Sequence, residues 1–518
     1  MRHNMAEVER RKRLVMGPQT VVGSQTAAGE TPTAVRAKIG GKQLIVLLLM
    51  THPPLNLIWG AIPTAYQFGG VVATPLALGI AGLALLAFSV GYGGMARRIQ
   101  HRGGLYAFVA HGLGPYAGVG SSAVAILSYT ALLSSLMVVL GGAATGLIGS
   151  LFGVHVPVLS CVLAGTAAIM ALGRLRLPGL VRVLLAVGVL QVALVIWFDV
   201  TSARQPAGGS VSFEAVDPSW LLTGSLGLAL GLAVSAFVGS ETGASYVDDV
   251  AEPERTIPRA TMISYAVTAV VLVISAWAIS VAVGPENVVT AAQGQLESQT
   301  AGASQPFALT VIIQLVGARH AQLVAELFAA ALVLGCLASG TTHANAVARQ
   351  LTALAGDGVL PAARKPRRDG RPPVAAGLLA PLVAGAVALV VASTNPSIGI
   401  LYLVIISGLG IAGVLTLSSL ATIAWFLRSD DAEAGFFGWE GQVVAAGFAM
   451  VTTGFVFVYG LYRLPSVVPS GDAYGWTLWA APLVAFGVGA AVLLARRTAE
   501  PGVLTRVGRT PSLIEEVR

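Results

Sequence analysis

The segment SAFVGSETGASYVDDVAEPERTIPRA, residues 235–260, begins inside an apolar stretch that is long enough to cross a membrane. Gly239, Glu241 and Gly243 stand in the middle of that stretch. Glycine weakens a helix interior, and a carboxylate at bilayer depth costs roughly 2 kcal/mol or more. Neither residue suits a helix that only anchors a protein in lipid. The segment therefore predicts a membrane helix that is interrupted near its middle.

The composition of the chain indicates a polytopic helical membrane protein. Of its 518 residues, 55% are hydrophobic and 11% are charged, whereas a soluble domain carries about 25% charged residues. Apolar runs of about 20 residues recur along the chain, and the alternating pattern of a membrane β-barrel is not visible. The two cysteines, Cys161 and Cys336, lie in apolar segments, which argues against a disulfide framework and a thiolate metal site.

Twelve segments are predicted to span the membrane. Their approximate bounds are 43–67, 72–96, 117–141, 154–172, 179–201, 220–248, 260–284, 321–353, 373–393, 397–427, 441–463 and 474–495. A further apolar piece, 306–318, is too short to cross, so we expect an interfacial helix there. We expect a disordered cytoplasmic tail at 1–42, which is polar and has no apolar signal-peptide core, and a second cytoplasmic tail at 496–518.

The distribution of lysine and arginine predicts the orientation of the chain. With the N-terminus inside the cell, only Arg204, Arg319 and Arg463 of the 31 basic residues fall on the outer side. The positive-inside rule therefore predicts that both termini lie in the cytoplasm. This placement accounts for the net charge of +7 without a nucleic-acid partner. Because arginine outnumbers lysine and alanine is abundant, we expect a GC-rich bacterial source and a location in its cytoplasmic membrane.

Two of the twelve segments contain helix breakers at corresponding positions. In the first, Pro53 and Pro54 lack a backbone N–H and clash with the preceding turn, so the helix must break near residues 51–56. In the sixth, the break is expected at 238–243. Interrupted helices five segments apart are typical of transporters built from two inverted repeats, with the substrate site at the breaks. The alternative is that proline and glycine only kink these helices, which is common in membrane proteins.

The sixth segment resembles the helix-6 signature of the amino acid–polyamine–organocation superfamily, in which Gly-Phe-Glu precedes an acidic pair and Ile-Pro-Arg-Ala. The matching residues are Phe237, Gly239, Glu241, Asp248, Asp249, Pro253, Ile257, Pro258, Arg259 and Ala260. Ser240 replaces the usual phenylalanine. NAVARQLTALAGDGVLP, residues 345–361, is similar to the end of helix 8 in that family, and Gly103, Gly104 and Tyr106 match its Gly-Gly-x-Tyr core.

This resemblance implies an all-α fold with a ten-helix inverted-repeat core at 43–427, whose halves are 43–201 and 220–427. Helices 11 and 12 follow within 441–495. It also implies a permease that carries an amino acid, or a related small amine or polar metabolite, by alternating access. Residues of helices 1, 3 and 6 are implied at the substrate site, namely Thr51, His52, Asn56, Tyr129, Phe237, Val238, Gly239, Ser240 and Glu241.

The first segment departs from the family pattern, because THPPLN stands where relatives have a Gly-x-Gly-Ile-Phe motif with free N–H groups. Two prolines remove two backbone donors, so recognition of a substrate carboxylate by that backbone is in doubt. We therefore expect the side chains of Thr51, His52 and Asn56 to supply donors instead.

Alternative roles stay open for several of these residues. Glu241 either caps the freed N–H groups of the second half-helix, which we favour, or contacts substrate directly. Tyr129 either contacts substrate or bonds a neighbouring helix. Asp248, Asp249 and Arg259 form either a solvated charge cluster or an inner gate.

The resemblance also bears on the coupling ion. In the related sodium-coupled fold, hydroxyls of helix 8 and carbonyls of helix 1 hold a cation. Some sodium-independent relatives place a lysine on helix 5, where this chain has Gln191, which does not titrate. Since histidine changes charge near neutral pH, we expect proton-dependent, sodium-independent uptake, with exchange as the main alternative. The candidates for the coupling ion are His52, Ser339, Thr342 and His343; the alternative is that they only bond neighbouring helices.

Other function classes are less well supported. A membrane-embedded nutrient sensor on a transporter scaffold would normally carry a large soluble signalling domain, which we do not expect here. An enzyme would need a cluster such as His-Glu-x-x-His, and an ATP-driven pump would need a phosphate loop; the sequence contains neither. We expect a small-molecule substrate, the lipid bilayer and a proton or exchange substrate as partners, with no cofactor and no metal.

Overall fold

The structure of the protein is a computed structural model that describes residues 38–300, 307–361, 373–428, 438–463 and 475–509. Apart from an isolated bridge between Ile39 and Val250, the regular structure in these ranges is helical. The predicted all-helical fold is therefore confirmed for this part of the chain. Most of the predicted N-terminal tail and the end of the predicted C-terminal tail lie outside the described residues.

The helices that correspond to the twelve predicted segments are labelled α1 to α12 in chain order. They are α1 (Gly41–Gly69), α2 (Thr74–Arg98), α3 (Pro115–Phe152), α4 (Val158–Leu172), α5 (Leu177–Arg204), α6 (Leu226–Asp249), α7 (Pro253–Val283), α8 (Ala318–Gly356), α9 (Val374–Ser393), α10 (Pro396–Phe426), α11 (Gly438–Arg463) and α12 (Thr477–Ala499). Shorter α-helices lie at Leu105–Leu113, Val288–Thr300, Phe307–Val316 and Val503–Arg506.

Within the described residues, eleven helices are long and apolar enough to cross a membrane. The exception among the labelled helices is α4, which has 15 residues. Its length of about 22 Å falls short of a hydrocarbon core of about 30 Å. The helix begins at Val158, immediately after Pro157, and not at the predicted residue 154. The structure thus supports eleven spans, and a twelfth remains a prediction. Phe307–Val316 is a short apolar helix, as expected for the segment 306–318.

The interruption predicted in α1 is present. A first helix ends before a turn at Thr51 and His52, and a second helix begins at Pro54. Proline is well suited to the first helical position, where an N–H would have no intrahelical partner. The helix then widens into a π turn at Leu57–Ala61. Pro63 favours this widening, because it has no N–H to offer the carbonyl four residues earlier.

The interruption predicted in α6 is also present. The first half is an α-helix at Leu226–Ser235, and the second half is a tighter 3-10 helix at Ser240–Asp249. Between the halves, the backbone of Gly239 has a φ of +117°, which an L-residue with a side chain adopts only under strain. The small and polar side chains that follow have low helix propensity. Both properties favour an unwound chain here.

Small residues let the helices around the breaks approach each other closely. A Cβ on Gly69 in α1 would lie 2.8 Å from the Cβ of Ala229 in α6. A Cβ on Gly82 in α2 would lie 2.6 Å from the Cβ of Ala269 in α7. Close approach through glycine and alanine is common in membrane helix bundles, where tight packing stabilises helix association. It sets the end of α1 directly against the first half of α6.

Candidate functional site

The breaks of α1 and α6 are in direct contact. A Cβ on Gly239 would lie 2.5 Å from the Cβ of Thr51, so this glycine is required for space as well as for backbone conformation. Nε2 of His52 lies 3.4 Å from Oγ of Ser240, which is 2.8 Å from Oγ of Ser264 in α7. The side chains of all four polar residues are buried. The structure therefore brings together predicted site residues from both breaks.

Glu241 is held by tyrosines from three helices. Its carboxylate accepts hydrogen bonds from the N–H of Gly239 at 2.9 Å, from Tyr129 in α3 at 2.7 Å and from Tyr265 in α7 at 3.4 Å. Its backbone carbonyl accepts a bond from the hydroxyl of Tyr92 in α2 at 3.1 Å. A buried carboxylate needs several such donors to be tolerated. This geometry fits the capping role favoured for Glu241, and it gives Tyr129 a partner across helices.

The hydrogen bonds of the two buried histidines define their neutral tautomers. The hydroxyl of Thr51 donates to a backbone carbonyl of α1 at 2.6 Å, so Nδ1 of His52, 2.7 Å from Thr51 Oγ1, must be the donor to it. Nε2 of His52 is then an acceptor for Ser240. Nδ1 of His343 donates to the carbonyl of Ser339 at 2.8 Å. Its Nε2 is buried and has no hydrogen-bond partner within the described residues, so it can accept a proton.

Hydroxyls of α8 contact carbonyls of the α1 break. Ser339 donates to the carbonyl of Thr51 at 2.5 Å. The hydroxyl of Thr342 lies 3.3 Å from the carbonyl of Met50, and its nearer acceptor is the carbonyl of Ser339 at 2.8 Å. These are the groups to which the family resemblance assigns a cation. Here each hydroxyl proton points at a carbonyl oxygen. A cation could bind only after both protons had turned away and freed the oxygens as ligands.

The backbone of the α1 break has few donors for an anion. Residues 53 and 54 are prolines, and the N–H groups of Thr51 and His52 donate to carbonyls of the preceding turn at 3.2 Å. The N–H of Leu55 donates to Oε1 of Gln191 in α5 at 3.1 Å. Recognition of a carboxylate at this break therefore depends on side chains, in line with the departure from the family motif.

Sequence reasoning missed the bridging role of Gln191. Nε2 of Gln191 donates to the carbonyl of Ala331 at 2.8 Å, so this side chain joins the α1 break to α8. The amide of Asn56 faces α8, where Nδ2 lies 3.6 Å from Sγ of Cys336. Phe237 packs against the ring of Tyr265, with 6.2 Å between centroids. No local sequence signal distinguishes Gln191, because both of its partners are backbone groups on other helices.

The acidic pair at the end of α6 is buried and paired with arginines. Asp248 lies 3.3 Å from Arg102, and Asp249 lies 2.7 Å from Arg349 of α8. The guanidinium of Arg349 also lies 4.0 Å from the ring centroid of Tyr246. The interpretation as a solvated cluster does not fit these two carboxylates. Ion pairs join this end of α6 to Arg102 and to α8.

Asp357, which follows α8, is another buried carboxylate that joins distant segments. It accepts a hydrogen bond from the hydroxyl of Tyr106 at 2.6 Å and one from the N–H of Gly508 at 2.7 Å, and it lies 3.3 Å from Nε2 of His101. Burial, and then the charge of Asp357, raise the pKa of Tyr106 above its usual value, so the phenol remains a donor. The side chain of Val507 packs in the same apolar cluster as Tyr106. Tyr106 and Asp357, which belong to two of the motifs above, are thus hydrogen-bonded to each other, and Asp357 is also hydrogen-bonded to a segment that follows α12.

Among the described residues, no group of three or more His, Cys, Asp and Glu side chains is arranged to hold a metal ion. No curated protein matches the chain significantly. A family model described as amino acid permease matches residues 44–501, a range that includes both breaks, the buried carboxylates and all of the motifs above. Together with the many apolar helices of the fold, this match shows that the chain belongs to the amino acid permease family.

Proposed function

We propose that the protein is a secondary active transporter that moves an amino acid or a related small amine across the cytoplasmic membrane of a bacterium by alternating access. Family membership and the helical membrane fold support an amino acid transporter. The observation that carries the finer proposal is the contact between two interrupted helices, Thr51 against Gly239. Irregular backbone at membrane depth is tolerated where it is buried in protein or lines a cavity, and facing breaks form the site in such transporters.

The proposed topology counts α4 as a crossing helix, which gives twelve spans with both termini in the cytoplasm. The core consists of inverted halves at 43–201 and 220–427, and α11 and α12 lie outside it. The distribution of basic residues supports this orientation, since only three of 31 fall on the outer side.

The groups at the breaks favour a substrate that carries an ammonium group. Prolines and backbone partners use up most amide donors of α1, and the N–H of Gly239 is bonded to Glu241. The carboxylate of Glu241 and the carbonyls at the end of the first half of α6 are acceptors suited to an ammonium. A substrate carboxylate, if present, would take its donors from Thr51, His52 and Asn56.

Proton coupling through His52 or His343 is the proposed source of energy. Both imidazoles are buried, one at the α1 break and the other on the helix whose hydroxyls bond that break. A proton added to either ring creates a cation at membrane depth, which is costly unless an anion or an acceptor approaches it. Binding of a proton and binding of a substrate carboxylate are therefore expected to favour each other.

Uptake into proteoliposomes tests this function. The parent, His52→Gln and His343→Gln are compared under an inward proton gradient without sodium, across a panel of labelled amino acids and amines. His155→Gln, at an exposed position between α3 and α4, is the matched control. We expect one buried variant to lose gradient-driven accumulation but to retain exchange. Strict sodium dependence, or equal accumulation in all variants, would reject proton coupling. A parent that binds a compound but neither accumulates nor exchanges it would favour the nutrient sensor.

A further inference from the structure

The hydroxyl of Tyr92 is hydrogen-bonded to two backbone groups that would be partners of each other in a regular 3-10 turn. In such a turn an N–H donates to the carbonyl three residues earlier, so Ala244 is the natural partner of Glu241. Here the N–H of Ala244 donates to Oη of Tyr92 at 2.6 Å, and Oη donates to the carbonyl of Glu241 at 3.1 Å. A phenol can donate and accept at once. Tyr92, which lies in α2, therefore supports the backbone of the 3-10 half of α6.

Aromatic packing holds the ring of Tyr92 in place. The residue is 1% exposed. Its ring centroid lies 5.7 Å from that of Phe88 and 5.4 Å from that of Phe108, which meets it edge to face. Offset and edge-to-face contacts are the favoured arrangements of aromatic pairs. The hydroxyl cannot leave the break unless the whole ring shifts.

Gly243 leaves the space that this arrangement needs. A Cβ at this position would lie 2.7 Å from Oγ1 of Thr261 in α7 and 3.5 Å from Oη of Tyr92. The first distance is shorter than any ordinary contact, so a larger residue would have to displace the hydroxyl of Thr261, whereas the second distance is an ordinary contact. The close approach of Thr261 in α7 thus explains the second glycine of the α6 break.

We propose that Tyr92 is a positioning residue for substrate binding, which acts by fixing the backbone of Glu241. The proposal rests on the proposed function, in which the α6 break binds substrate. The Tyr92 hydroxyl bonds the carbonyl of Glu241, while the Glu241 carboxylate is met by Tyr129 and by the N–H of Gly239. Without the hydroxyl, the N–H of Ala244 and the carbonyl of Glu241 either pair with each other or stay buried without this partner. In both cases the backbone of the segment that carries the Glu241 carboxylate is held differently.

Hydrogen–deuterium exchange tests this support of the backbone without any substrate. Tyr92→Phe removes only the hydroxyl. Tyr66→Phe is the matched control, because Tyr66 is fully buried and its hydroxyl donates to the carbonyl of Ala276 at 3.0 Å, away from the α6 break. We expect amides of residues 239–246 to exchange at least about fivefold faster in Tyr92→Phe and at the parental rate in Tyr66→Phe. Parental rates in both, or equal acceleration in both, would overturn the proposal. If Tyr92→Phe does not fold, Gly243→Ala, whose Cβ would lie 2.7 Å from Oγ1 of Thr261 and 3.5 Å from Oη of Tyr92, should accelerate the same amides.

A double-mutant cycle then separates positioning from general structural support. The dissociation constant of the best substrate should rise about tenfold in Tyr92→Phe. In a Glu241→Gln background, the same change should raise it by no more than about twofold, because Tyr92 acts through Glu241. Equal factors in both backgrounds would overturn the positioning role. If the parent transports substrate while Tyr92→Phe binds it normally, the positioning role fails and the proposed function stands. The opposite result is also distinguishable. If the parent transports no substrate, but hydrogen exchange of the amides at 239–246 is faster in Tyr92→Phe, then Tyr92 does hold the backbone and the proposed function fails.

Discussion

Substitution of Gly239 by alanine tests the contact between the two breaks. The backbone of Gly239 has a φ of +117°, a conformation that costs an L-residue about 1–3 kcal/mol. The new Cβ would lie 2.5 Å from the Cβ of Thr51, whereas carbon atoms pack at about 3.5–4.0 Å. Relief of such an overlap in a packed interior costs about 1–3 kcal/mol. The arrangement in which the breaks touch should therefore lose about 2–6 kcal/mol.

This loss predicts weaker binding, because the touching arrangement is the proposed binding geometry. Since 1.4 kcal/mol is a factor of about ten, the dissociation constant should rise at least about thirtyfold. The measurement is equilibrium binding to purified protein of the compound with the highest uptake, together with initial rates in proteoliposomes. Gly231→Ala in the first half of α6 is the matched control. Among the residues that the structure describes, its Cβ would meet only Val456, at 3.8 Å, and alanine favours a helix interior.

A parental dissociation constant in Gly239→Ala would show that the contact is not needed for binding. Equal losses in Gly239→Ala and Gly231→Ala would show that α6 tolerates no added methyl group, which would also refute the reasoning. Size-exclusion chromatography and thermal unfolding establish that both variants are folded before binding is compared.

Three other substitutions probe parts of the structure outside the break contact. Asp357→Asn should lower the melting temperature, because it weakens the bonds from Tyr106 and Gly508, each worth about 1.5–3 kcal/mol to a charged acceptor; an unchanged melting temperature contradicts this. Gln191→Leu should cost about 2–6 kcal/mol in denaturant unfolding, because the N–H of Leu55 and the carbonyl of Ala331 each lose a buried partner. A cost within error of zero would show that both groups find other partners. In His111→Gln, the free energy of unfolding should fall less steeply than in the parent as the pH is lowered. Burial lowers the pKa of His111 from its usual value of about 6.5, so its contribution is present above about pH 6.5 and declines as the pH falls. Parallel stability curves of parent and variant between about pH 7 and pH 5 would count against this origin.

Local rules of backbone chemistry were sufficient to predict both breaks. Pro53 and Pro54 cannot continue a helix wherever they occur, and the small residues after Val238 favour unwinding in any surroundings. The same rules favoured Glu241 as a cap for the α6 break, since a carboxylate near the N-terminus of the second half-helix can accept hydrogen bonds from the N–H groups freed there. Helix ends were predicted less well. α3 continues through Gly141, Gly142, Gly146 and Gly149 to Phe152 and ends at Gly153, whose φ is +65°, and Pro157 delays the start of α4.

Contacts between distant segments could not be predicted from the sequence. Tyr92 has the same appearance in sequence as other tyrosines of an apolar helix, and its role depends on how α2 crosses α6. Gln191 bonds backbone groups more than a hundred residues away on either side. The partners of the acidic pair are arginines on other segments, Arg102 and Arg349, and not the exposed Arg259 of the same motif. Such pairings are set by helix packing, which hydrophobic periodicity does not specify.

The π turn at Leu57–Ala61 accommodates one residue more than the α-helical turn it replaces. In an alignment with a relative whose first helix is regular, the relative therefore needs a one-residue gap opposite this turn. Without the gap, each residue of Ile62–Gly69 is compared with a position about 100° further round the helix. Tyr66, whose hydroxyl bonds the carbonyl of Ala276, would be matched to a residue on a different face. Residue roles transferred between amino acid permeases should therefore be anchored separately on each side of this turn.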